Sequence, residues 1–151
     1  MILTNQLISI MKTLMGLAGL TMAGFMLLSC NTEVKEANYQ IIPLPQEISV
    51  MDQAAPFILS NGTKIMYPEG NEKLQRTAEF LASYIKEATG ITVRTTTEAA
   101  KKNSIILAVD SSITNKEGYQ LEVTSENIHL NGGSESGVFY GMQTLYKACL
   151  L

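Results

Sequence analysis

The chain has 151 residues, 46% of them hydrophobic and 17% charged, which is enough for one core and short of two. A net charge of −3, with no basic run longer than Lys101-Lys102, excludes a nucleic-acid-binding face. Two cysteines at opposite ends, Cys30 and Cys149, do not make a disulfide framework, and a single histidine leaves no zinc site.

Lys12 precedes an apolar, uncharged run from Leu14 to Leu28. That run is too short for a comfortable membrane span and fits the apolar region of a signal peptide. It ends in Leu27-Leu28-Ser29-Cys30, which resembles a bacterial lipobox. The aliphatic residue stands three before the cysteine, and the small Ser29 lets a peptidase reach the scissile bond. The Cys30 thiol would take the diacylglycerol. Residues 1–30 are thus expected to be a lipoprotein signal peptide, with Cys30 as the lipidation site. Met11-Lys12-Thr13 reads as the true start, because Met1 to Ile10 carries no charge. Residues 31–38 are polar, carry Glu33, Lys35 and Glu36, and read as a tether holding residues 39–151 off the membrane. The expected location is the bacterial cell envelope, in the periplasm or on the outer membrane or cell surface. Cys149 then reads as a small apolar helix residue.

Tyr39 to Pro45 contains two prolines that force extended backbone. Glu47 to Val50 and Phe57 to Leu59 are short strand candidates. Asn61-Gly62 predicts a hairpin turn, with Thr63 to Tyr67 returning as a strand. Asn71 can N-cap the next helix, with Glu72 near the positive dipole end. Leu74, Ala78, Leu81, Ile85 and Ala88 recur on one helical face, and Gly90 is the stop. Thr92 to Thr96 is β-branched and reads as a strand. Ser104 to Val109 is nearly all apolar, as expected of a central strand buried on both faces. Tyr119, Leu121 and Val123 alternate with Gln120 and Glu122, and Ile128 and Leu130 follow the Ser125-Glu126-Asn127 turn as the return of an antiparallel hairpin. A last helix is expected from about Gly137, with Ser136 as N-cap. It is apolar almost all round, so it needs cover on two sides. The expected architecture is α+β: one mostly antiparallel sheet with two helices packed on one face.

Chemistry is sparse. His129 lies between Ile128 and Leu130 and reads as a surface strand residue. No Gly-x-Ser-x-Gly elbow accompanies it. Gly132-Gly133-Ser134-Glu135-Ser136-Gly137 joins a strand to a helix, where phosphate loops occur, but it lacks a Walker lysine and Glu135 would repel phosphate. It reads as a tight bend needing positive φ. Asp110 ends the apolar strand and would need a second carboxylate, Glu117 or Glu122, for acid/base work on a sugar. Capping the turn before Ser111-Ser112 is its simpler role. Thr95-Thr96-Thr97 reads as strand and loop surface. No residue qualifies as catalytic, cofactor-binding or metal-binding.

One block carries more. Tyr119 to Val123, Ile128-His129-Leu130 and Gly137-Val-Phe-Tyr-Gly-Met-Gln-Thr-Leu145 resemble the N-terminal, non-catalytic domain of glycoside hydrolase family 20, the β-N-acetylhexosaminidases. Ile41-Ile42-Pro43-Leu44-Pro45-Gln46 is similar to that domain's opening. The resemblance spans roughly Tyr39 to Leu151 and implies a module preceding a (β/α)₈ barrel. It implies retaining hydrolysis of terminal β-linked N-acetylhexosamine, with the substrate's acetamido oxygen as nucleophile. The family's catalytic Asp-Glu pair and sugar-binding arginine belong to the barrel and have no matching position here, so these 151 residues alone are expected to be inactive. The expected partners are the barrel, met through the last helix, the membrane through lipid on Cys30, and a glycan held by the barrel. Two alternatives stand beside this: a non-enzymatic glycan-binding or structural lipoprotein, and the front domain of another glycosidase family, such as the O-GlcNAc hydrolases or α-glucuronidases.

Overall fold

The computed structural model describes residues 38, 40, 45–50, 55–99 and 102–149. The elements in chain order are β1 (Lys64–Met66), α1 (Glu72–Thr89), β2 (Arg94–Thr96), β3 (Ser104–Val109), β4 (Tyr119–Val123), β5 (Asn127–Gly132) and α2 (Glu135–Cys149). The expected signal peptide and lipidation site at Cys30, and Ile41 to Leu44, lie outside the described residues.

The α+β class and the helix pair are as expected, but the strand directions are not. The five strands run in the order β2-β1-β3-β5-β4. β1 pairs parallel with β2 and β3, and β3 pairs parallel with β5. Only β4 and β5 are antiparallel among the described strands. The sheet is therefore mixed and mainly parallel. The physical reason is the crossover: α1 carries the chain from β1 back to lie beside it as β2.

The Asn61-Gly62 hairpin is also absent. Thr63 N–H does close a turn onto the Ser60 carbonyl at 2.9 Å. Neither Asn61 nor Gly62 has the positive φ that a hairpin turn of the I′ type requires, and Phe57 to Leu59 is not a strand. Glu47 to Val50 is not a strand either.

Helix α1 follows its sequence signals. Asn71 Oδ1 accepts from Leu74 N–H at 3.0 Å. Gly90 takes φ 75° and donates its N–H to the Lys86 carbonyl at 2.9 Å. Leu74, Ala78, Leu81 and Ile85 are buried, joined by Thr77, while Ala88 is exposed. Helix α2 begins two residues before the expected Gly137. Ser134 is its cap, with its Oγ accepting from Ser136 N–H at 3.2 Å. Ser136 itself lies in the first turn.

Register places Ile65, Ile105 and Ile128 side by side, and Leu107 beside Leu130. All five are buried, and Leu74, Leu81, Ile85, Val138, Met142 and Leu145 from the two helices complete the same core. β3 is central, yet its two faces are not equally covered. Ile105 and Leu107 are closed off on the helix side, Ile106 and Ala108 on the other face are half-buried, and Val109 at the strand's end is 43% exposed. Burial on both faces fails because both helices pack on the same side.

Polar pairing locks the edges of this core. Thr63 Oγ1 donates to Asn103 Oδ1 at 2.6 Å, and Asn103 Nδ2 donates to Ser60 Oγ at 3.1 Å. Tyr119 and Thr144 share a hydroxyl–hydroxyl bond at 2.7 Å between β4 and α2. Among the described residues, no buried side-chain nitrogen or oxygen lacks a partner.

Candidate functional site

The glycine block is a packing device. At Gly133 an added Cβ would sit 2.2 Å from the Asn115 carbonyl oxygen, and at Gly137 it would sit 2.3 Å from the Gly118 carbonyl oxygen. At Gly141 it would meet Leu130 Cδ1 at 2.3 Å and the Tyr119 ring at 2.9 Å. None of these three has a positive φ, which only Gly70 and Gly90 have among the described glycines. The expected positive φ is therefore not what these positions require. Glycine is needed there because the 113–118 loop and β5 press directly on α2, leaving no room for a side chain.

That close approach orients α2. Val138, Met142 and Leu145 turn inward, so Phe139, Tyr140 and Tyr146 turn toward α1 or outward. Tyr146 packs on Tyr84 of α1, with ring centroids 4.7 Å apart. Tyr140 is 46% exposed and Phe80 of α1 is 52% exposed. A shallow groove runs between them, lined also by Lys73, Arg76, Glu135 and Phe139. At its end the two helix N-termini are tied, because Asn71 Nδ2 donates to Glu135 Oε1 at 3.2 Å. The Glu135 carboxyl is held below its ordinary pKa, first by its own backbone N–H, then by Asn71 and by the nearby Lys73 charge.

The residues weighed for chemistry do not converge. His129 lies on the sheet face away from the helices, in register with Ile106 and Glu122, and is half-buried. Asp110 caps a turn as expected, its carboxylate accepting from Ser112 N–H at 2.8 Å. Hydrogen bonds from Ser112 lower its pKa. Glu117 is on an exposed loop and Glu122 on the exposed side of β4. Thr95 and Thr96 are half-buried in β2, and Thr97 is exposed. Among the described residues, no group of three or more His, Cys, Asp or Glu side chains could hold a metal ion. Among those residues, no helix is long and apolar enough to cross a membrane. Phe80 went unread in the sequence because it lies off the buried stripe of α1. The available signal was the aromatic pair Phe80 and Tyr84, four residues apart on one helical face that also carries Lys73 and Arg76.

This arrangement of a mixed sheet, two helices on one face and a glycine-packed last helix matches a known domain. The model of glycosyl hydrolase family 20, domain 2, matches residues 38–149. The chain belongs to that family. A β-hexosaminidase of Porphyromonas gingivalis is 29% identical over 130 residues, covering 80% of this chain and 16% of that protein. The family 20 β-N-acetylhexosaminidase from Streptomyces coelicolor superposes with a TM-score of 0.57 at 28% identity, over 64% of this chain and 19% of that one. A Streptomyces plicatus β-hexosaminidase in complex with its product GlcNAc gives 0.55 at 26% identity, over 61% and 18%. The chain thus spans under a fifth of these relatives. It carries the family's non-catalytic domain, and a catalytic barrel belongs to the full family 20 enzyme.

Proposed function

We infer that this chain is the N-terminal module of a cell-envelope β-N-acetylhexosaminidase. The reaction is removal of terminal β-linked N-acetylhexosamine from glycans by substrate-assisted, retaining hydrolysis. The observation that carries this reading is the family match over residues 38–149, supported by the named relatives. The chemistry belongs to a barrel, and the module's part is mechanical. It presents the groove between α1 and α2 to the barrel, with Phe80 and Tyr140 as anchors and Arg76 and Glu135 as polar rim. Large aromatics left half-exposed on one packed face are what a docking surface leaves uncovered when seen alone. Lipid on Cys30 ties the module to the membrane, with residues 31–38 as spacer.

The test supplies a chromogenic N-acetylglucosaminide to the 151-residue chain and to the same chain joined to a family 20 barrel. Turnover is expected only from the joined form. Turnover by the 151-residue chain alone would sink this reading. Lipidation is read separately, by mass spectrometry of a membrane-extracted chain. Diacylglyceryl on Cys30 is expected, and substituting Cys30→Ala should release the protein from the membrane fraction.

A further inference from the structure

The sequence contains two Asn-Gly dipeptides, Asn61-Gly62 and Asn131-Gly132. Both are chemically prone to the same reaction, because glycine puts no side chain in the way of its own backbone nitrogen. The fold treats them in opposite ways.

Asn131-Gly132 ends β5, paired with β3 on one side and β4 on the other. Gly132 is buried, and its carbonyl accepts from Asp110 N–H at 2.8 Å. A Cβ there would lie 2.3 Å from Val138 N, so the backbone has no room to rotate. Asn61-Gly62 instead forms the exposed middle of the Ser60–Thr63 turn. The Gly62 N–H makes only a long, exposed bond to Ser60 Oγ at 3.3 Å. The Asn61 side-chain oxygen accepts from Thr92 N–H at 3.0 Å. A donor on that oxygen stabilises the negative charge that develops there when its carbon is attacked.

We propose that Asn61-Gly62 is a site of spontaneous deamidation selected by the fold. The Gly62 backbone nitrogen attacks Asn61 Cγ and a C–N bond forms. The side-chain amide leaves as ammonia, taking up the proton that Gly62 loses, and a five-membered imide remains. Water then opens one of the two imide C–N bonds. One product is aspartate at position 61, and the other is isoaspartate, in which the backbone runs through the former side chain. Both add one negative charge. Aspartate keeps an acceptor for Thr92 N–H. Isoaspartate lengthens the turn by a methylene, which breaks the Ser60–Thr63 bond and the tie to the α1–β2 connection.

The experiment ages the full chain in mildly alkaline buffer and follows its peptides by mass spectrometry, with electron-transfer fragmentation to separate the two acids. The amide-to-acid mass gain is expected at position 61 at least about tenfold faster than at position 131. Tenfold is the ratio that about 1.4 kcal/mol of strand opening would impose. A mixture of aspartate and isoaspartate marks the imide route. Gly62→Ala should suppress the reaction without disturbing the turn, since its Cβ would lie 3.6 Å from Asn103 Nδ2 and Ser60 Oγ, an ordinary contact. An unmodified Asn61, equal ageing at Asn131, or aspartate with no isoaspartate would each overturn the proposal. So would a folded Gly62→Ala chain that ages at the wild-type rate.

Discussion

The two sides of helix α2 are both apolar and are built on different principles. The inner side is specified atom by atom: Gly137 and Gly141 lie against backbone and ring atoms, and Val138, Met142 and Leu145 fill the core. The outer side offers Phe139 and Tyr140 to a shallow groove shared with Phe80. Composition alone does not separate the two. Fit does: the inner side has no space left, and the outer side has contact area without a partner among the described residues. An apolar helix can therefore fill a core on one side and leave apolar surface exposed on the other, with glycine marking the side that is already occupied.

Substitutions should expose this difference, beginning with the core beneath α2. Leu130→Ala removes a fully buried side chain that touches the Gly141 position and should destabilise the module by about 2–5 kcal/mol, read by denaturant unfolding. Gly137→Ala adds one methyl group 2.3 Å from the Gly118 carbonyl oxygen, and a cost of about 1–3 kcal/mol is expected. If Gly137→Ala were neutral, the close approach of loop and helix would not be what holds α2 in place. The paired change Phe80→Ser with Tyr140→Ser on the outer side should shift unfolding by no more than about 0.5 kcal/mol per site. The same pair should weaken association with a separately supplied barrel, read by titration. Strong destabilisation of the module by that pair would mean that the groove is core after all.

Much of this was readable in the chain. The α1 boundaries follow from Asn71 and Gly90, whose roles depend on local backbone donors and acceptors. The β4–β5 hairpin follows from alternation around a short turn, with Thr124 and Asn127 closing it. The central place of β3 follows from its apolar run. Other points were not readable. The Asn61-Gly62 pair carries a hairpin signal, but the parallel pairing of β1 with β2 and β3 outweighs it. The cap of α2 fell on Ser134 rather than Ser136, a choice between two nearby hydroxyls that only the path of the loop decides. The groove between the helices needs Phe80 and Tyr140, which are 60 positions apart in sequence and line it together only after α1 and α2 pack.

By itself the sequence determined the elements whose causes are local: caps, periodicity, the hairpin, the all-round apolar last helix, and the block that resembles the family. Only the tertiary structure decided strand direction, which face of β3 is covered, why the glycines are glycines, and where the exposed aromatic surface lies. Those features depend on atoms distant in the chain approaching within contact distance. Side-chain type records a residue's own preference and does not record which distant backbone will press against it.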